Sequence, residues 1–377
     1  MPKCTPRSFI PLSLVLGACA SEIPTAPAPD LVARSVVVAA VPEVTPVMEG
    51  LDSPRGLAFG PQGALYVVEA GNRTFDAARC APVARGRNCY SGTGAISRLW
   101  KGRQERVASG LPSFYNPVVN DIGGPNDIEF VGLGNATVSI GWGASPAARA
   151  GLGATGLLFG TLITVQPNGR WNVFTDIAAF EQANNPAGGP LDSNPYGLIN
   201  EGNARFVVDA GANTVLRVDN RGTVSLVAVI PGSAAPAPPP FPPFPPAEAV
   251  PTEVRRGPDG ALYVSTLTGV PFLPGAAAIW RVVPGETPTK FVAGLTQVTD
   301  FDWGADGSLY VLQYGSAPFF GGPSAIVRIA ANGARTTTTL ARLVRPTGIV
   351  VGPDNALYVS NRGSEESVGE VLRIVLP

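Results

Sequence analysis

Six dipeptides stand at equivalent places of a recurring pattern, and they hold the residues best placed to do chemistry. They are Arg55-Gly56, Asn126-Asp127, Tyr196-Gly197, Thr252-Glu253, Thr299-Asp300 and Thr347-Gly348. The second place is an acid in three and glycine in three. If Asp127, Glu253 and Asp300 converge, their oxygens suit a hard divalent cation such as calcium, whose bound water can serve as the nucleophile of a hydrolase. The same acids can pair with Arg55 or with a cationic ligand, or simply tie down backbone amides. The first places, Arg55, Asn126, Tyr196, Thr252, Thr299 and Thr347, make a polar cup suited to a hydrogen-bonding or anionic ligand. Neighbouring residues of a strand point to opposite sides, so one set or the other faces inward. Histidine is absent, which removes the commonest general base. No serine elbow, phosphate loop, dinucleotide fingerprint or zinc motif appears.

The elements that position these residues follow from internal repetition. The pattern runs through SPRGLAFGPQGALYVVEAG (53–71), GPNDIEFVGLGNATVSIGWG (124–143), NPYGLINEGNARFVVDAG (194–211), VPTEVRRGPDGALYVSTLTG (250–269), QVTDFDWGADGSLYVLQYG (297–315) and RPTGIVVGPDNALYVSNRG (345–363). Each unit supplies a third β-rich run, from AISRLW to EVLRIV, and the first five add a fourth. Four short antiparallel strands repeated six times predict an all-β, six-bladed β-propeller, with Pro-Asp-Gly-type turns joining strands one and two. The sixth unit lacks a fourth strand, and Val47–Leu51 matches Phe291–Leu295. An N-terminal strand therefore completes the last blade and closes the ring, which removes an exposed sheet edge. The propeller spans 44–377.

Strand direction alternates, so turns 1–2 and 3–4 share one face, and loops 2–3 and the blade-to-blade connections share the other. All long insertions fall on the second face: 71–94, 144–160, 178–194, 231–251, 270–277 and 315–324. Long loops on a rigid scaffold are where binding resides, so a small molecule or protein partner is expected there. The segment PAPPPFPPFPP (236–246) reads as polyproline II, either a docking element or a plain surface loop.

Lys3 and Arg7 precede the apolar run Phe9–Leu16, and small residues follow, the order of a secretory signal (1–19). Leu16-Gly17-Ala18-Cys19 matches a lipobox, with Cys19 lipidated; ordinary cleavage at Ala18-Cys19-Ala20 is the alternative. Residues 20–43 form a Pro/Ala-rich tether. The expected location is extracytoplasmic, as a periplasmic or outer-membrane lipoprotein or a secreted protein, with Cys19 the only membrane contact. Cys80 and Cys89 lie nine positions apart and predict a disulfide in an oxidising compartment. The 27 basic and 28 acidic residues nearly balance in 377, so nucleic acid is not an expected partner.

The segments LDSPRGLAFGPQGALYVVEAG, FGTLITV, FEQANNPAGGPLDSNPYGL, DAGANTVLRVD, VPTEVRRGPDGALYV and TGVPFLPGAAAIWRV resemble the ScyD/ScyE family over about 44–377. That resemblance implies an exported propeller of unsettled biochemical role. More distantly, the layout is similar to gluconolactonase/paraoxonase-like propellers, which hold a divalent cation with Glu, Asn and Asp at channel-facing strand starts. Of the corresponding places here, only Asn126 fits; Arg55 and the threonines depart from the pattern. Three readings follow: an exported binding or accessory module, a metal-dependent hydrolase or lactonase using Asp127, Glu253 and Asp300, and an assembly lipoprotein. The first needs only the rigid ring and its variable loops, and leads.

Overall fold

The computed structural model describes residues 41–132, 134–233 and 247–377. The export segment with Cys19, most of the tether and the proline-rich run 236–246 lie outside the described residues. The body is a β-propeller of six four-stranded antiparallel blades. Blade 1 runs Pro54–Phe59, Leu65–Glu69, Gly94–Trp100 and Arg103–Leu111. Blade 2 runs Pro125–Val131, Asn135–Ile140, Thr161–Val165 and Trp171–Asp176. Blade 3 starts at Pro195–Glu201, blade 4 at Pro251–Arg256, blade 5 at Val298–Trp303 and blade 6 at Gly348–Val351.

Local chemistry sets the hairpins. Gly257 N–H donates to the Ala261 carbonyl at 2.9 Å, and the Asp259 carboxylate accepts from Ala261 N–H. Gly260 supplies the positive φ of +79° that this turn requires. The second strand, Leu262–Thr266, is buried at all five positions, because both faces of a blade pack against neighbours.

Glu43–Leu51 pairs antiparallel with Gly369–Val375, from Glu43 opposite Val375 to Leu51 opposite Gly369, and completes blade 6. Met48 and Leu51 are each 1% exposed, so the clasp buries side chains as well as pairing amides.

Three of the long insertions, 71–94, 144–160 and 178–194, carry secondary structure of their own. Cys80–Val83 and Gly86–Tyr90 form a hairpin, and Phe114–Asn116 and Asp121–Gly123, from the connection between blades 1 and 2, extend it into a seventh four-stranded sheet. Cys80 and Cys89 face each other across this hairpin in a disulfide. The segment Pro146–Leu158 is 3-10 helical, broken at Gly153, and Ile177–Asn184 is an α-helix capped by the Asp176 carboxylate. Phe114, Trp142 and Phe159 lie 5.5–5.7 Å apart, ring to ring, and tie this cap to blade 2. Trp142 and Phe159 are wholly buried. No helix among the described residues is long and apolar enough to cross a membrane.

Candidate functional site

The second places face the ring axis. Asp127, Glu253 and Asp300 are 2–3% exposed. Their partner is Arg255, two residues beyond Glu253 and so on the same face of its strand. Arg255 Nη1 lies 2.8 Å from Glu253 Oε1 and 3.5 Å from Glu129 Oε1, and Nη2 lies 3.9 Å from Asp300 Oδ1. A guanidinium that reaches blades 2, 4 and 5 together sits at the axis. Glu129 and Asp302 follow Asp127 and Asp300 by the same two-residue step and add a second tier. Five carboxyl groups thus surround one arginine.

Each acid is also fastened to backbone. Asp127 Oδ2 accepts from Leu198 N–H of blade 3 at 2.9 Å, and Asp300 Oδ2 accepts from Ile349 N–H of blade 6 at 2.7 Å. Glu253 Oε1 accepts from its neighbour Val254 N–H at 2.8 Å. Two of the glycines make room for an acid: a Cβ on Gly56 would stand 2.1 Å from Asp127 Oδ1, and one on Gly197 2.6 Å from the Glu253 Cα.

Burial pushes the Asp127 carboxyl up to about 6, Glu129 to about 7 and Asp300 to about 8, while the Arg255 charge opposes the shift in each. Glu253 is pushed well above the carboxylate range for the same reason. One guanidinium balances one negative charge, so protons neutralise part of the remainder as pH falls.

The donor set does not fit a calcium ion. Calcium takes six to eight oxygens, whereas here the space between the carboxylates holds Arg255, and their oxygens already accept N–H bonds. Among the described residues no group of three or more Asp, Glu, Cys or His side chains is gathered in the geometry of a metal site.

Most first places latch one blade to the next. Asn126 Nδ2 donates to the Pro195 carbonyl at 2.9 Å, Thr252 Oγ1 to Val298 at 2.9 Å, Thr299 Oγ1 to Pro346 at 3.3 Å and Thr347 Oγ1 to Pro54 at 2.7 Å. Arg55 and Tyr196 differ. Arg55 Nη2 donates to the Ile122 carbonyl of the seventh sheet at 3.0 Å, and its Nε is buried without an acceptor. Arg55 makes no ion pair with the three acids. Burial raises the Tyr196 phenol above its ordinary value, with the Arg55 charge opposing and Asp300 and Tyr314 adding to it. The polar cup therefore reduces to Arg55 and Tyr196 at the channel mouth.

Aromatic rings continue outward from there. Tyr314 meets Phe320 edge-on at 5.2 Å, and Phe320 stacks on Phe272 at 4.0 Å. Phe319 and Phe320 are 60% and 43% exposed. Sequence reasoning missed Arg255, Glu129 and Asp302, although the two-residue step from each predicted acid would have found them. It also missed this aromatic arc, whose Phe272 and Phe320 belong to insertions outside the repeat.

No family model and no curated protein sequence matches the chain. Among solved structures, an oxidoreductase described as a glucose dehydrogenase from Thermus thermophilus matches with a TM-score of 0.53 at 16% identity, over 89% of this chain and 100% of that one. A protein of unknown function from Bacteroides thetaiotaomicron matches with a TM-score of 0.51 at 10% identity, over 89% and 76%. Regucalcin, a calcium-binding protein from Agrobacterium tumefaciens, gives 0.48 at 12% identity, over 87% and 94%. At such identities the likeness is one of fold, and that fold is the β-propeller.

Proposed function

We propose that the chain is an exported, ligand-binding propeller module without a catalytic metal, and that its ligand sits at the channel mouth on the long-loop face. The observation that carries this reading is Arg255, which stands among the carboxylates where a metal-dependent hydrolase needs its ion. Arg55 offers an unpartnered donor, and Tyr196, Tyr314, Phe320 and Phe272 offer stacking surface beside it. Those groups suit a ring-bearing ligand that is neutral or anionic, a chemistry of hydrogen-bond acceptance and stacking. Lys3, Arg7, the apolar run and Leu16–Cys19 support export with a lipid anchor at Cys19, and the disulfide agrees with an oxidising compartment. The quoted segments support kinship with the ScyD/ScyE family.

The test is thermal denaturation with calcium or chelator beside a lactone-hydrolysis assay. A binding module keeps its melting temperature in both and leaves lactone untouched; calcium-dependent turnover would overturn the reading. A screen of anionic and neutral ring compounds on wild type and Arg55→Ala then locates the ligand, since a mouth ligand stabilises only the wild type.

A further inference from the structure

The short-turn face carries a cavity of its own. Four blades place leucine at the start of strand two: Leu65, Leu262, Leu309 and Leu357, each directly opposite the last or next-to-last residue of strand one. These leucines face the preceding blade, as Leu65 does in packing with Val350 and Tyr358 of blade 6. Blade 2 has Ala136 at this place and blade 3 has Arg205. The missing leucine at Ala136 leaves a cavity of about 230 Å³ between blades 1 and 2. The gap beside Arg205 is about 120 Å³, because that side chain fills part of it, its guanidinium 4.0 Å from the Phe174 ring.

The walls of the larger cavity have a defined chemistry. Tyr66, Trp100 and Phe130 line it, with Ile96 and Ala136 behind them. Tyr66 and Phe130 lie 4.6 Å apart, ring to ring. Arg98 places its guanidinium 5.5 Å from the Trp100 ring and 5.9 Å from Tyr66. Its Nη2 pairs with Glu105, whereas its Nε is buried without an acceptor. Lys101 adds a positive charge 4.5 Å from the Trp100 ring. Buried donors in folded proteins are nearly always satisfied by protein or water, so an orphaned N–H at an aromatic cavity offers a free donor to a ligand that enters it. A cavity of about 150 Å³ admits benzene, so this larger one admits one or two fused rings.

We propose that the cleft between blades 1 and 2 binds a small aromatic carboxylate, its ring against the wall formed by Tyr66, Trp100 and Phe130 and its carboxylate on Arg98 Nε. The site is separate from the channel mouth and opens on the opposite face.

The probe is 2-naphthoate, titrated calorimetrically into wild type, Ala136→Leu and Arg98→Lys, with 2-naphthol as the neutral control. Wild type binds 2-naphthoate at one saturable site. Ala136→Leu restores the leucine of the other blades, weakens binding at least about tenfold and keeps or raises the melting temperature. Arg98→Lys lacks the Nε donor and weakens 2-naphthoate about tenfold while leaving 2-naphthol unchanged; it decides the matter should Ala136→Leu fail to fold. Absence of saturable binding to wild type, or equal affinity for wild type and either folded variant, overturns the proposal.

Discussion

The axial channel and the cap over blades 1 and 2 are both buried, but opposite forces hold them. The channel is polar: five carboxyls, one guanidinium and a set of backbone amides, with glycine wherever an acid needs room. The cap is apolar, with Phe114, Trp142 and Phe159 packed together and a disulfide across its hairpin. The channel draws residues from every blade and so belongs to the ring. The cap comes from three segments, the hairpin loop of blade 1, the connection between blades 1 and 2 and the loop that follows Trp142, and is fastened by its own contacts. Removing one member of a buried charge network leaves its partners uncompensated, whereas trimming an apolar cluster leaves a cavity.

The largest effect falls on the ring itself. Removing residues 41–51 takes a strand from blade 6 and exposes the partners of Met48 and Leu51. Calorimetry should show no cooperative transition; a melt like that of the intact chain would mean the clasp is dispensable. Next comes Arg255→Met, which leaves the buried carboxylates uncompensated and should cost about 3–5 kcal/mol in denaturant unfolding at neutral pH. The loss shrinks on acidification as Asp300 and its neighbours protonate.

That charge balance also gives the wild type a pH profile. The channel acids titrate higher in the folded state than the ordinary carboxylate value of about 4, so the folded state holds more protons there. Stability falls as pH rises from about 4 to about 8, the value reached by Asp300. Asp306, held at about 2 by Ser308 and Arg328, contributes stability above about 4 that is lost in acid. Melting temperature should therefore peak near the bottom of this window, and Asp300→Asn should flatten the decline above it. A profile that rises toward pH 8 would contradict the burial of uncompensated acid.

A smaller effect sharpens the contrast from the side of the cap. Cys80→Ser with Cys89→Ser releases a loop of about ten residues and should cost the cap about 2–3 kcal/mol by loop entropy. Hydrogen exchange should rise in 80–90 and 114–123 while the blades keep their protection. The smallest change is Thr347→Val, which deletes one latch to the Pro54 carbonyl and should cost about 1 kcal/mol.

The ring was legible because its information repeats: GPDGALYV and its variants fix each hairpin, and the unpaired VMEGL names the strand that closes the last blade. Asp127, Glu253 and Asp300 were legible as axial residues from their common register. Arg55 was the counter-ion expected from the sequence, whereas the partner is Arg255, which follows Glu253 by one full side-chain period. The seventh sheet could not be read in this way. Its strands Phe114–Asn116 and Asp121–Gly123 are three residues each and occur once; they pair with each other, and only the first pairs with the hairpin, more than twenty residues away. Nothing local distinguishes such strands from loop.

The clasp also sets an order of events in time. Five blades are assembled from neighbouring hairpins and can form as their own residues become available. Blade 6 joins Glu43 to Val375, so the first strand of the ring has to wait for the ring's last strand to be made. Until then its pairing edge, and the face that Met48 and Leu51 later bury, stay open to any other strand. The ring is thus committed late, by a single long-range pairing whose loop-closure entropy is set by nearly the whole propeller.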